Sequence, residues 1–230
     1  MNINIENCEV NIITGTETLE IKGKPQSAAP AAEGVISTQH TYSVAGFMAN
    51  RDKVKIGDRV KLPSFTVPAV KMDGEDVLAF DEKHIKADEA IIIGKDENGN
   101  FILIFDHCLF ESAIDLNDEK RFEITQLGQY LNSEFLRAMN GAGIPAESCG
   151  LISKDEMFGD NPLEYFKTGR NRIAFDFDED CSRYYWLSTL YDEEASAARF
   201  CYANGTGISN YYSASGATDC VRPRFVISAI

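Results

Sequence analysis

Two uninterrupted apolar runs, Ala90-Ile91-Ile92-Ile93 and Phe101-Ile102-Leu103-Ile104-Phe105, stand on either side of Asp96-Glu97-Asn98-Gly99-Asn100. A polar, glycine-containing connection between two such runs predicts a hairpin. Neither arm alternates with polar residues, so both of its faces should be covered and the pair should lie at the centre of the core. Shorter strands are expected over residues 54–62, 66–70 and 77–80, the last two separated by the turn signal Met72-Asp73-Gly74-Glu75. Residues 1–22 alternate apolar and polar at Ile3, Ile5, Val10, Ile12, Leu19 and Ile21, with Thr14-Gly15-Thr16 between, which predicts two short strands or a hairpin. Residues 23–34 carry two prolines and a run of alanines with little apolar anchoring, the composition of an extended, semi-rigid linker. The chain is therefore expected to divide into an arm and linker, residues 1–33, and a domain, residues 34–230, with its own core.

The period changes further on. Leu127, Tyr130, Leu131, Phe135 and Leu136 recur at three- and four-residue spacing, one face of an amphipathic helix that Thr125 is placed to cap. The helix should run to about Met139, where Asn140-Gly141-Ala142-Gly143-Ile144-Pro145 stops it. Regular signals thin out over residues 146–183, where only Ile173-Ala174-Phe175 predicts a strand. Residues 184–230 differ again: they hold the only tryptophan, Trp186, and six of the nine tyrosines, and close on the apolar Phe225-Val226-Ile227. Between Trp186 and Val221 the chain is too polar for a core strand and too aromatic for a linker. Tyrosine supplies large, rigid, amphipathic area, while Ser, Gly and Asn supply adaptable hydrogen bonding, the composition of a contact surface. Solvated hairpins whose tyrosines merely cover the core are the alternative.

Composition narrows the function. With 230 residues and 44% hydrophobic content the chain can bury a sizeable core. A formal charge of -14 and no cluster of Lys and Arg argue against nucleic-acid binding, which needs clustered cations to displace counterions. No apolar run reaches the roughly 18 residues of a membrane span, and the N-terminus lacks the basic-then-apolar pattern of a signal peptide. Synthesis in the cytoplasm without membrane insertion is the expectation. The cysteines Cys8, Cys108, Cys149, Cys181, Cys201 and Cys220 form no C-x-x-C pair and read as buried thiols.

A family resemblance rests on Tyr185-Trp186-Leu187-Ser188, then Ala195-Ser196-Ala197-Ala198-Arg199-Phe200, Asn204-Gly205 and Val221-Arg222-Pro223-Arg224-Phe225-Val226-Ile227. Upstream it is joined in order by Ile56-Gly57-Asp58-Arg59-Val60, by residues 127–135 and by residues 152–158. Together these are similar to C-type-lectin-like domains with a "YWLRSP … GVRP" ending, among them the ligand-binding variable proteins of diversity-generating retroelements in phages and bacteria. The chain departs from that pattern at Thr189-Leu190 and at Asp219-Cys220. The resemblance implies an α+β, C-type-lectin-like fold with short antiparallel strands, one amphipathic helix and a loop-rich C-terminal half. It also implies a non-enzymatic protein that binds a protein or surface glycan and is compatible with association with a virion, with the N-terminal arm available for homo-oligomerisation. The expected contact residues are Tyr184, Tyr185, Ser188, Tyr191, Asp192, Tyr202, Asn204, Ser209, Asn210, Tyr211, Tyr212, Ser213 and Ser215 on one exposed face, held from below by Arg222 and the 225–227 strand. In such systems adenine-directed mutation yields Tyr, Ser, Asp, Gly, Ala, Thr and Cys without stop codons, the types abundant here. No metal or cofactor is expected.

Other motifs give way to blander readings. Asp176-Phe177-Asp178-Glu179-Asp180 matches the first acidic positions of a calcium loop, but Cys181 and Leu187 stand where Gly and Glu are required. Gly141-x-Gly143-x-x-Ala146 follows a helix where a dinucleotide fingerprint needs a strand. His40, His84 and His107 stand in no metal or triad spacing, and His107 and Cys108, as strand neighbours, point to opposite faces. Formylglycine-generating oxidases share the wider lectin-like fold and use a copper-binding cysteine pair, for which Cys181, Cys201 or Cys220 would have to come together. A decoration domain of a virion or cell surface is the third function class.

Overall fold

A computed structural model describes residues 11–14, 17–20, 39–72, 76–177, 182–194, 197–215 and 219–229. The chain divides into Met1–Thr38 and Gln39–Ile230. In the first unit Asn11–Thr14 pairs antiparallel with Glu17–Glu20, Asn11 opposite Glu20 and Thr14 opposite Glu17, which is the hairpin expected there. Ile3, Ile5, Val10, Ile21 and the linker lie outside the described residues.

The elements that position the functional surfaces follow in chain order. They are β1 (Thr41–Ser43), β2 (Arg59–Leu62), β3 (Asp88–Lys95), β4 (Phe101–Phe105), β5 (His107–Cys108), β6 (Phe110–Ser112), a helix α1 over residues 126–141, β7 (Ala146–Gly150), β8 (Ala174–Asp176), β9 (Ser182–Arg183), β10 (Tyr185–Leu190), β11 (Arg199–Ala203), β12 (Ser209–Ser213), β13 (Asp219–Val221) and β14 (Arg224–Ile227). The fold is mixed α+β, mostly short strands with one substantial helix. A six-stranded sheet runs β7-β14-β4-β3-β2-β1, a five-stranded sheet β6-β13-β10-β11-β12 and a three-stranded sheet β5-β8-β9.

The expected central hairpin is β3 and β4, antiparallel with Phe101 opposite Lys95 and Phe105 opposite Ala90. Its turn is closed by Asp96, whose Oδ1 accepts from the Asn98 and Asn100 N–H groups at 2.9 and 2.8 Å. The unbroken apolar runs are explained by a core on each side of this sheet. Phe101, Leu103 and Phe105 pack with Phe47, Leu127, Tyr130, Phe135, Trp186 and Phe225, while Ile91, Ile93, Ile102 and Ile104 pack with Ile152, Met157, Phe166, Tyr185 and Leu187.

Helix α1 starts where expected: Thr125 Oγ1 accepts the Gly128 N–H at 3.0 Å. It continues to Gly141, two residues beyond the expected end, with a π turn at Leu131–Phe135 between the α segments Gln126–Tyr130 and Leu136–Gly141. Gly128 lies against the turn before the helix, and a Cβ there would stand 1.9 Å from the Phe122 carbonyl oxygen. Gly128→Ala should therefore lower the unfolding free energy by at least about 2 kcal/mol, overpacking against backbone outweighing the roughly 1 kcal/mol that alanine gains in helix propensity. Urea unfolding reads this directly, and a stabilised variant would show that the first turn is free to move.

Several boundaries shift. Of residues 54–62 only β2 is strand, because the buried Asp58 carboxylate accepts the His40 and Lys55 N–H groups at 3.0 and 2.9 Å and ties the preceding residues into a turn. Residues 66–70 split at Pro68-Ala69 into Phe65–Val67, paired with Lys83–Ile85, and Val70–Lys71, paired with Ala79–Phe80. Asp73 to Glu75, the expected turn, lie outside the described residues. Strand β7 arises in a stretch expected to be irregular, pairing with β14 from Ala146 opposite Ile227 to Gly150 opposite Arg224. Among the described residues, all members of both cores belong to the second unit. Residues 39–230 expressed alone should thus give a cooperative thermal transition close to that of the full chain, and an insoluble product would mean that the first unit completes the fold.

Candidate functional site

The expected contact residues do not form one face. Register places Trp186 opposite Tyr202, Tyr202 opposite Asn210 and Phe200 opposite Tyr212, so these share one side of the five-stranded sheet. Tyr185 lies opposite Ala203, Ala203 opposite Ser209 and Cys201 opposite Tyr211, on the other side. Tyr184 stacks on Tyr202 with centroids 5.5 Å apart on the first side. Tyr191 stacks on Tyr211 at 3.6 Å on the second. The even spacing of a strand makes this unavoidable, since the adjacent Tyr211 and Tyr212 must point in opposite directions. The arrangement is a two-sided ribbon, β11 and β12, whose outer strand β12 is the sheet edge.

Exposure sorts the residues further. Tyr184, Tyr191, Tyr211 and Tyr212 are 52%, 48%, 37% and 52% exposed, and Asp192, Asn210 and Ser215 are exposed too. Tyr185 is a correction: it is fully buried, its hydroxyl donates to the Arg172 carbonyl at 2.6 Å, and burial pushes its pKa up to about 12. Asn204 is committed to the hairpin turn, its Oδ1 accepting from the N–H groups of Thr206 and Ile208, both at 3.0 Å, while Gly207 takes φ +74°. Ser188 is half-buried on a different cleft with Phe122, Asn132 and Ser148. Tyr202, Ser209 and Ser213 are half-buried. Arg222 is buried beneath the sheet, its Nε donating to the Phe105 carbonyl at 2.8 Å and its guanidinium 5.4 Å from the Tyr185 ring centre.

A second group of side chains meets where the three- and five-stranded sheets join. β5 runs parallel to β8 with Cys108 opposite Asp176, and β13 lies between β6 and β10 with Cys220 opposite both Glu111 and Tyr185. The Cys108 Sγ, an Asp176 carboxylate oxygen and the Cys220 Sγ all lie within 4.8 Å of one another. Cys220 Sγ is 3.7 Å from Asp176 Oδ1. Arg183 Nε donates to Cys220 Sγ at 3.4 Å, stands 3.3 Å from Asp176 Oδ2, and the same guanidinium pairs with Glu111. Both thiols are 3% exposed, yet the group borders a cleft of about 280 Å³ lined also by Leu109, Phe110 and Phe177.

The neighbouring Cys220 thiol and burial drive Cys108 far above the usual thiol range, while Cys108 and Arg183 draw Cys220 below it against the opposing effect of burial. Cys181 lies outside the described residues, as do Asp178, Glu179 and Asp180 of the acidic run. Cys201 does not join Cys220; it is buried beside Ser209, and burial raises its pKa. Among the described residues Cys220 instead meets Cys108, a partner 112 positions away that only the sheet junction brings to it. His107 points away, its Nδ1 2.7 Å from Asp88 Oδ1 and its ring stacked on Phe177 at 4.5 Å. The Asp88 hydrogen bond raises its pKa.

Neither protein-family models, nor curated proteins, nor solved structures match this chain. No helix among the described residues is long and apolar enough to cross a membrane.

Proposed function

We propose that this chain is a non-enzymatic recognition protein, a C-type-lectin-like scaffold that presents the β11–β12 ribbon to a protein on a cell or virion surface. It would belong with the variable proteins of diversity-generating retroelements. The observation that carries the reading is the edge strand β12, whose burial pattern is open along its middle and whose Tyr211 and Tyr212 rings stand out on opposite sides. An aromatic edge strand is an aggregation hazard that native sheets normally blunt with Lys, Pro or a covering loop; among the described residues only the Tyr211 N–H is blocked, by Asn210 Oδ1 at 2.9 Å, so the rest of the edge fits a strand that meets a partner. A protein is favoured over a glycan because an edge strand offers backbone N–H and C=O groups for pairing as well as side chains.

The test has two arms. Purified protein is passed over immobilised surface proteins and glycans of the host, with a Tyr191→Ser/Tyr211→Ser/Tyr212→Ser variant beside it. Selective retention of the wild type by a protein is expected, whereas equal retention would leave only the decoration role. The flanking DNA is sequenced in parallel. A near-identical repeat of the segment encoding residues 184–220 beside a reverse-transcriptase gene is expected, and its absence would remove the retroelement assignment while leaving the binding reading to the first arm.

A further inference from the structure

We infer that Cys108, Asp176 and Cys220 form a binding site for a single zinc ion, with its fourth coordination position open to the adjoining cleft. The inference stands apart from the tyrosine ribbon and does not depend on it.

The donor set is the first reason. Thiolate sulfur with a carboxylate oxygen suits zinc, which binds Cys at about 2.3 Å and Asp at about 2.0–2.2 Å in tetrahedral geometry. Those bond lengths place two sulfurs about 3.8 Å apart and a sulfur and an oxygen about 3.5 Å apart. The 3.7 Å between Cys220 Sγ and Asp176 Oδ1 is close to such an edge, and the remaining separations, all within 4.8 Å, need only small side-chain rotations to close. The carboxylate decides against a purely sulfur-seeking monovalent ion, which would use the two cysteines and leave Asp176 idle.

The surroundings are the second reason. Once ionised, two thiolates and a carboxylate bring three negative charges against the two of Zn²⁺, leaving one in excess. Arg183, shared with Glu111, offsets part of it and orients both ligands, hydrogen-bonding Cys220 Sγ at 3.4 Å and pairing with Asp176 Oδ2 at 3.3 Å, as outer partners of metal-bound groups commonly do. The third reason is scaffold rigidity. Cys108 and Asp176 are direct partners in a parallel strand pair, and Cys220 is fixed by its N–H donating to the Tyr184 carbonyl at 3.0 Å. All three donors thus sit on strands and not on loops. With three protein ligands and a cleft beside them, the site resembles a zinc centre that keeps one position for water or an incoming group. Loading would expel the thiol protons to solvent, so affinity should rise with pH.

The experiment uses the full chain, reduced and metal-free, titrated with Zn²⁺ against a chromophoric chelator and, separately, with Co²⁺ to read thiolate-to-metal charge transfer. One tight equivalent per chain and a spectrum requiring two sulfurs are expected. Cys108→Ser, Cys220→Ser and Asp176→Asn should each weaken binding on the order of 100-fold or more, and Arg183→Gln by about 10-fold, as befits a supporting partner. Cys149→Ser and Cys201→Ser should bind like wild type. No stoichiometric uptake, a cobalt spectrum without thiolate charge transfer, or binding unchanged by Cys108→Ser and Cys220→Ser would overturn the site. Should the serine variants fail to fold by circular dichroism, Asp176→Asn and the wild-type cobalt spectrum decide, because the aspartate is partly exposed on a strand end.

Discussion

Trp186→Ala is expected to lower the unfolding free energy by about 3–5 kcal/mol, the range for truncating a large buried aromatic. Trp186 is wholly buried in the first core, on the same side of the sheet as Tyr202 and edge-on to it at 6.5 Å. Its Nε1 donates to the Ser112 carbonyl at 2.8 Å, across to β6, so truncation removes the packing and also leaves a buried carbonyl without its donor. Trp186→Phe should recover most of the packing but not that hydrogen bond, and so lie between the two. Chemical denaturation of the three proteins measures the order, and a Trp186→Ala transition close to wild type would mean that the ring is not part of the core.

The exposed tyrosines should behave in the opposite way. Tyr212→Ser removes a ring that is half in solvent and should cost about 0.5 kcal/mol of stability. Tyr191→Ser or Tyr211→Ser breaks a stacked pair and should cost about 1 kcal/mol, the added worth of an aromatic contact. Against the partner protein each substitution at the centre of the interface should cost 2 kcal/mol or more, roughly thirtyfold in affinity. Tyr202 is excluded from this set because it packs on the first core and its loss would confound the two readouts. Paired unfolding and affinity measurements on the same variants separate the cases: stability losses above about 2 kcal/mol at Tyr212 would make it core, and unchanged affinity at all three would end the ribbon's role in recognition.

The two-sidedness of the ribbon also changes what a partner must look like. A flat epitope could touch either the Tyr184, Tyr202 and Tyr212 side or the Tyr191 and Tyr211 side, but not both. A partner that engages the edge itself reaches both rings of β12 at once. Comparing Tyr211→Ser with Tyr212→Ser therefore reports the mode of approach, equal losses pointing to the edge and unequal ones to a single side.

Local chemistry was enough for the hairpin of β3 and β4 and for the start of α1 at Thr125, since each depends on neighbours within a few positions or on the sheer apolarity of a run. Strand β7 was not legible. Ala146-Glu147-Ser148-Cys149-Gly150 has little apolar content, and its strand geometry comes from hydrogen bonding to β14 at the sheet edge. Tyr185 and Tyr184 look alike in sequence, but one strand step puts the first in the core and the second in solvent. The single-face reading of the tyrosines failed on the same alternation, applied to a stretch whose strand limits composition does not mark.

An acidic chain with a central apolar hairpin, one capped amphipathic helix and an aromatic, polar C-terminal stretch could be read from residue order alone, because hydrophobic period and capping chemistry act over short separations. The convergence of Cys108, Asp176 and Cys220 and the division of the tyrosines between two sides of a sheet edge emerge only in the assembled fold. Such meetings depend on the pairing and register of strands far apart in the chain, and nothing local to Cys108 or to Cys220 encodes which strand will lie beside it.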